Sequence, residues 1–256
     1  MSKDPYYDRP EWSYSSMKKI LESGIDYAVM AKRGDLPQPQ GRFIDLGQLV
    51  HMLILGGSDN FAICEFDDFR TKAARDWRDE QLETGKNIVT KDMFKSAETI
   101  IKNIENHPYY HRYLSNDQIK HELEMTAKTS DGVSLKGKAD AIEVGKDHIV
   151  ITDIKTTAQF DKFEKAVFSK HYDLQAAVYS LIASSFLGIS TNFVNYYFCV
   201  VETVEPYRVQ YFHSSLEFLE AGESKLRKCI DEIVAFGDRE PTPLLTEVKE
   251  LGDWSL

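Results

Sequence analysis

Residues 122–156 read ELEMTAKTSDGVSLKGKADAIEVGKDHIVITDIKT, and this stretch decides the fold. Asp131-Gly132 and Gly145-Lys146 are turn dipeptides of the kind that close β-hairpins. The three runs that they separate are rich in β-branched residues or alternate between apolar and polar side chains, as half-buried strands do. The stretch therefore predicts a three-stranded meander with strands at about residues 122–129, 133–143 and 147–156.

Two carboxylates and a lysine fall on neighbouring strands of this meander. Asp153 and Lys155 are two residues apart, so they project from the same face of their strand. Pairing across the turn at 143–147 can bring Asp140 beside Asp153. Carboxylates at such range repel unless a proton, a cation or a divalent metal intervenes. The pattern is typical of metal-assisted phosphodiester hydrolysis, and a solvated strand face with a surface ion pair is the alternative.

The rest of the chain predicts helices and further strands around the meander. Helices are predicted at residues 12–31, 44–55, 91–106, 160–168, 172–186 and 216–236, and strands at 61–66, 193–202 and 206–213. The charged stretch 70–83 receives no assignment. This order predicts an α/β (α+β) fold with a central mixed β-sheet flanked by helices. We expect one domain over residues 1–256, with a loose N-terminal arm at 1–11 and a C-terminal tail at 237–256.

Two further pairs of residues lie about one turn apart on predicted helices. Gly47 precedes His51, and a glycine there would let a strand or ligand approach closely. The nitrogen of His51 can complete a metal shell, although a hydrogen-bonded core histidine is the alternative. Gln175 and Tyr179 offer an amide and a phenol from one helical face, although such a tyrosine is usually part of the core.

Charge is unevenly spread along this acidic chain. The net charge of −10 by itself argues against a nucleic-acid partner. Residues 1–42 hold seven Lys or Arg against six acids, and residues 136–170 hold seven Lys against six acids. These two segments are therefore near neutral within an acidic body. Either a local basic surface or ordinary compositional scatter explains the difference.

Cysteine spacing and short apolar runs bear on cofactors and location. Cys64, Cys199 and Cys229 form no CxxC pair, which fits a reducing compartment and argues against a zinc or iron–sulfur site. The longest apolar runs fall short of a bilayer span, and the N-terminus has no signal pattern. We expect a cytoplasmic protein without membrane contact.

Four motifs follow one another along the chain. They are Gly47-Gln48-Leu49-Val50-His51, Gly137-Lys138-Ala139-Asp140, Asp153-Ile154-Lys155 and Gln175-Ala176-Ala177-Val178-Tyr179. The series resembles the GxxxH, D, DxK and QxxxY motifs of RecB-type nucleases in the PD-(D/E)xK superfamily. Over residues 12–236 the chain looks most like the RecE, or exonuclease VIII, family of phage and prophage recombination exonucleases. Each motif alone is common, whereas four in order are specific.

The resemblance implies a metal site and a set of catalytic residues. The implied ligands of Mg²⁺, or of Mn²⁺, are the side chains of His51, Asp140 and Asp153 and the carbonyl of Ile154; the implied catalytic residues are Asp140, Asp153, Lys155, Gln175 and Tyr179. Lys155 would act on the attacking water, while Gln175 and Tyr179 would line the site and touch the DNA backbone. A glutamate from the preceding strand often joins such sites, and both Glu122 and Glu124 qualify.

The resemblance also implies a reaction and its partners. We expect a Mg²⁺-dependent 5′→3′ exonuclease that acts on double-stranded DNA ends as a ring-shaped homo-oligomer. Its 3′ single-stranded tails would serve a single-strand annealing protein in phage-type recombination. Two alternatives stay open: a structure-specific or restriction-like endonuclease of the same fold, and a catalytically idle DNA-binding module. The intact set of Asp140, Asp153 and Lys155 argues against the idle module.

Overall fold

Helices and strands alternate along the chain, and the computed structural model describes them over residues 6, 8–36, 44–56, 61–66 and 69–244. The helices in these ranges are α1 (Tyr14–Ser23), α2 (Ile25–Arg33), α3 (Leu46–Ile54), α4 (Lys72–Glu83), α5 (Lys91–Glu105), α6 (Tyr110–Tyr113), α7 (Phe163–Ala166), α8 (Tyr172–Leu187) and α9 (Leu216–Phe236). The strands are β1 (Phe61–Cys64), β2 (Asn87–Thr90), β3 (Ile119–Lys128), β4 (Ser134–Val144), β5 (Ile149–Thr157), β6 (Val194–Glu202) and β7 (Val209–His213).

A five-stranded mixed sheet in the order β3-β4-β5-β6-β7 forms the centre of the fold. The predicted meander is confirmed, because β3, β4 and β5 pair antiparallel in sequence. Strands β5 and β6 are parallel, and α8 lies in the crossover that such a pair requires. The short β1 and β2 make a separate parallel pair. The expected α+β fold with a mixed sheet is therefore what the chain adopts.

Helices cover both faces of the sheet. Alternate strand residues point to opposite faces, so Ile151 and Tyr196 join the core beneath α1, α8 and α9. Ile154 and Cys199 face the other way and join the core under α3 and α5. Strand β5 therefore lies between α3 on one face of the sheet and α8 on the other.

Local structure differs from the sequence-based prediction in several places. The helix predicted at 12–31 is divided into α1 and α2 by Gly24, whose φ of 86° lies in the left-handed region. The unassigned stretch 70–83 is α4, capped by the side chain of Thr71. Strand β2 was missed because four residues are too few to show a period. Parts of the proline- and glycine-rich loop before α3 and of the predicted C-terminal tail lie outside the described residues.

The described part of the N-terminal arm is held in place, so the expectation of a loose arm was wrong there. Lys136 is only 5% exposed, and its ammonium donates to the carbonyls of Tyr6 at 2.6 Å and Arg9 at 2.9 Å. Trp12 exchanges backbone hydrogen bonds with Ser134 and Lys136 on β4. The arm thus covers the edge of β4 where β5 no longer pairs with it.

All three cysteines are buried and unpaired. No helix within the described ranges combines the length and the apolar character needed to cross a bilayer.

Candidate active site

Strands β4 and β5 separate at the two carboxylates singled out in the sequence. Their ladder runs from the pair Val144 and Ile149 to the pair Ala141 and Thr152. Asp140 and Asp153 are the next residues on each strand. Here Asp140 Oδ2 accepts a hydrogen bond from the Ile154 amide at 2.8 Å, so a side chain replaces the backbone partner. The two carboxylates therefore stand at the fork of the sheet.

Asp140 is in contact with His51 across the fork. His51 Nε2 lies 3.1 Å from Asp140 Oδ2. Burial lowers the pKa of His51, but the hydrogen bond and charge of Asp140, together with the charges of Asp153 and Glu122, raise it by more, so the net shift is upward. Gly47 permits this approach of α3 to β5, because a Cβ at that position would overlap Thr156 Oγ1 and lie 3.1 Å from Thr156 Cβ.

Asp153 is buried and surrounded by donors. Its Oδ2 lies 2.6 Å from the Lys155 ammonium. Its Oδ1 accepts from Gln175 Nε2 at 2.5 Å and from the Tyr196 hydroxyl at 3.4 Å. Burial raises the pKa of Asp153 to about 6, against the lowering effect of Lys155 and with a further increase from Asp140. Gln175 is 5% exposed, so in this structure its amide orients Asp153 rather than facing the solvent.

Lys155 and Tyr179 complete the set on the α8 side of the sheet. The Lys155 ammonium stands 4.8 Å from the centre of the Tyr172 ring. Burial lowers the pKa of Lys155, but Asp153 and Asp140 outweigh it and the net shift is upward, which keeps the ammonium charged. Burial, followed by the charge of Asp153, raises the pKa of Tyr179 well above its ordinary value. Tyr179 is therefore a neutral phenol.

Two cavities adjoin these residues. A smaller one of about 310 Å³ is lined by Gly47, His51, Ile154 and Thr156 among others. A larger one of about 1440 Å³, which we call the basic groove, reaches His51, Asp140 and Tyr179. Its lining includes the cations Arg9, Lys19, Lys32, Arg33, Lys136 and Lys138 and the acids Asp8, Glu11, Glu122 and Asp140. The two near-neutral segments of the sequence thus contribute to one concave surface.

Glu122, and not Glu124, is the glutamate of β3 that lines the basic groove. Register opposes Glu122 to Asp140, and the ladder between β3 and β4 is interrupted at this pair. Glu122 has a φ of 53°, a conformation that is strained for a non-glycine residue. Its carboxylate lies 2.5 Å from the Lys138 ammonium. Glu124 instead lies 3.5 Å from Arg9.

The donor set at the fork has the chemistry of a divalent-metal site. His51 Nε2 and Asp140 Oδ2 are close enough for both to bind one ion at about 2.1 Å. The N–H and C=O of a strand residue face the same neighbouring strand, so the Ile154 carbonyl faces the Asp140 side as its amide does. Nevertheless, the described residues gather no three His, Cys, Asp or Glu side chains around one point, because Asp153 turns toward Lys155 and Gln175.

Sequence reasoning missed two side chains of the site. Tyr196 reaches Asp153 from β6, and nothing short of the β5–β6 register identifies it. Lys138 lies two residues before Asp140 on β4, so the two-residue period of a strand could have placed it on the same face.

Two carboxylates and a lysine at the fork of a mixed sheet define a PD-(D/E)xK-like fold of the nuclease type. The chain belongs to the family described as "PDDEXK-like domain of unknown function (DUF3799)", whose model matches residues 13–250.

A solved structure shares this fold. A "Putative exonuclease" from Eubacterium rectale superposes with a TM-score of 0.58 at 18% identity, over 91% of this chain and 87% of that chain. At this identity the likeness shows the fold alone. The structure of SSO0001 aligns with a TM-score of 0.32 at 13% identity, over 71% of this chain and 85% of that chain, and carries no weight. No protein with a curated function matches the sequence.

Proposed function

We propose that this protein is a Mg²⁺-dependent 5′→3′ exonuclease of double-stranded DNA. The observation that carries the proposal is the fork of β4 and β5, where Asp140 contacts His51, Asp153 contacts Lys155, and the basic groove opens beside them. The groove supplies cations for a phosphate backbone in a chain whose net charge is −10. Membership of a family with a PDDEXK-like domain further supports the proposal.

The metal would be held by His51, Asp140 and the Ile154 carbonyl, with Asp153 completing the shell. Bound there, Mg²⁺ or Mn²⁺ would polarise the scissile phosphate and acidify a water. Gln175 and Tyr196 hold Asp153 in one orientation through its Oδ1. To bind the ion, Asp153 would turn from these partners toward His51 and Asp140.

Lys155 and Tyr179 would act on the phosphate and the water. The Lys155 ammonium remains charged and lies next to Asp153, so it can hold the attacking water and stabilise the developing negative charge. Tyr179 faces the basic groove as a neutral phenol and can donate to a phosphate oxygen. Glu122 and Lys138 border the same space.

The exonuclease assignment rests on the RecE-like order of motifs. In that reading the substrates are double-stranded DNA ends, the enzyme is a homo-oligomeric ring, and the product is a 3′ tail for a single-strand annealing protein. A restriction-like endonuclease would use the same residues on internal bonds. The two reactions differ in whether a free end is needed.

Linear and covalently closed circular duplexes of one sequence, each with and without Mg²⁺, test the proposal. We expect nucleotides to be released from the linear duplex only, and only with the metal. A 5′ label should be released before a 3′ label. Cutting of the circle would favour the endonuclease, and an absence of cleavage in both Mg²⁺ and Mn²⁺ would refute the proposal.

Asp153→Ala and Asp140→Ala should each abolish the release of nucleotides. Asp147→Ala is the matched control, because Asp147 is an exposed carboxylate in the turn between the same two strands. Its activity should equal that of the unaltered protein. Far-UV circular dichroism of all three variants separates a lost ligand from a lost fold. Full activity of a folded Asp153→Ala variant would contradict the assignment of the site.

A further inference from the structure

Residues 160–171, which we call the rim segment, connect β5 to α8 and carry three exposed lysines. Lys162, Lys165 and Lys170 form no ion pair with any other residue that the structure describes. The segment also contains Asp161 and Glu164, so its net charge is +1 on a chain with a net charge of −10. The three lysines offer an anion ammonium groups that no described carboxylate occupies.

The rim segment is held at its beginning by Arg208. The Arg208 guanidinium lies 2.8 Å from Asp161 and 2.8 Å from Glu202 on β6. Its centre also stands 4.6 Å from the ring of Phe160. Arg208 is therefore shared between Asp161, the acid next to Lys162, and Glu202. This contact fixes the chain that carries the lysines.

The middle and end of the rim segment are held as well. Phe163 is buried, with its ring centre 5.1 Å from that of Phe212 on β7. The Tyr14 hydroxyl donates to the carbonyl of Lys170 at 3.0 Å, and Lys225 on α9 donates to the carbonyl of Phe168 at 3.2 Å. Contacts from β6, β7, α1 and α9 thus preorganise a surface that would otherwise be an ordinary loop.

The rim segment adjoins both the candidate active site and the basic groove. Its Phe163 ring stacks 5.8 Å from Tyr172, the ring over which the Lys155 ammonium lies. On the other side Tyr14 both lines the basic groove and holds Lys170. A backbone leaving the fork can therefore pass directly onto the rim segment.

We infer that the rim segment binds the phosphodiester backbone of the DNA flanking the scissile bond, through Lys162, Lys165 and Lys170. This rests on the proposed function, since a nucleic-acid substrate supplies the phosphates. Each phosphate that a lysine neutralises releases counterions, so removing the lysine changes how steeply binding falls with salt. The interaction is independent of base sequence.

The test compares two triple variants that change the net charge equally. K162Q/K165Q/K170Q removes the lysines of the rim segment. K95Q/K102Q/K228Q removes three exposed lysines of α5 and α9. Binding of the full chain to a labelled 30-base-pair duplex, and to one of its strands alone, is followed by fluorescence anisotropy in EDTA from 25 to 200 mM KCl. EDTA prevents cleavage during the measurement.

We expect the rim variant alone to flatten the plot of log K against log salt. The slope should fall by about 0.9 for each phosphate left without its lysine on duplex DNA, or about 0.7 on a single strand, which distinguishes the two forms. An unchanged slope, or an equal change in both variants, would overturn the inference while leaving the proposed function standing. If the unaltered protein neither binds nor degrades DNA, the proposed function itself fails.

Discussion

The absence of a Cβ atom at Gly47 lets α3 approach the candidate site closely. A Cβ at this position would overlap Thr156 Oγ1. We predict that Gly47→Ala lowers the free energy of unfolding by about 1–3 kcal/mol, the cost of overpacking a tight contact. Urea unfolding measures this effect. The stabilising contribution of alanine to a helix works in the opposite direction and amounts to about 1 kcal/mol.

A double-mutant cycle identifies the cause of this destabilisation. Thr156→Ala removes the hydroxyl that the new methyl group would strike. Gly47→Ala should therefore cost much less in the Thr156→Ala background than alone, giving a coupling of the size seen for residues in contact. Equal costs in both backgrounds would mean that the contact with Thr156 is not what excludes a side chain at position 47.

Lys155 is expected to contribute more to turnover than to metal binding. It neutralises Asp153 at 2.6 Å and is not itself a ligand. Lys155→Ala should lower kcat strongly while changing the Mg²⁺ concentration for half-maximal rate much less. Lys146→Ala, in the exposed turn after β4, is the control. A large loss of Mg²⁺ affinity with an unchanged kcat would contradict this role. Unfolding curves show whether the isolated Asp153 carboxylate also destabilises the fold.

At the scale of elements, one carboxylate ties the segment after α9 to α2. Asp26 accepts hydrogen bonds from the Arg239 guanidinium at 2.5 and 2.6 Å and from the Thr242 amide at 2.8 Å. The hydrogen bonds from Arg239 hold the pKa of Asp26 below its ordinary value. A depressed folded-state pKa contributes stability above the unfolded-state pKa of about 3.9, and this is lost as pH falls through the folded value.

We therefore predict that Asp26→Asn lowers the urea midpoint at pH 7 and that the difference from the unaltered protein shrinks below about pH 4. Asp35→Asn, which changes an exposed carboxylate just after α2, should leave the midpoint unchanged at every pH. A difference for Asp26→Asn that stays constant from pH 7 to pH 3 would show that the tie is not electrostatic.

Elements with a long, clear period were predictable from the sequence, and short or capped ones were not. The prediction for α9 at 216–236 agrees with its observed bounds, because 21 residues repeat the helical period many times. The same holds for α5 and α8 within a residue or two. Strand β2 and the break at Gly24 depend on a few residues each. In such short stretches the local preference for helix or strand is weak, so contacts with distant residues determine the secondary structure.

At the scale of the whole molecule, the state of assembly remains a prediction. Phe186 and Phe193 are 50% and 56% exposed, and burying the exposed half of each ring between copies would contribute about 0.8–1.5 kcal/mol. We predict that light scattering after size exclusion gives a mass of three or more chains of 29.4 kDa. Phe193→Ser should shift this mass downward if its ring lies in the interface. A mass of one chain at micromolar concentration would contradict the proposed ring-shaped homo-oligomer.

Asp153 shows most clearly which contacts the sequence predicts and which only the structure reveals. The shared face of Asp153 and Lys155 follows from the two-residue period of a strand, and the nearness of Asp140 follows from a short turn, so both were predictable. The donors to Asp153 were only partly so, since Gln175 and Tyr196 lie 22 and 43 residues further along the chain.

Three features of the candidate site are determined by the tertiary structure alone. It placed Glu122 rather than Glu124 in the lining of the groove, because the β3–β4 ladder is interrupted at Glu122. It joined described residues of the segment 1–42 to Lys136 and Lys138 in one basic groove, through the contact of the N-terminal arm with Lys136. It also turned Asp153 away from His51. Each of these features depends on strand register or on packing between distant segments. Local sequence determines only the repeat of apolar and polar residues within one helix or strand.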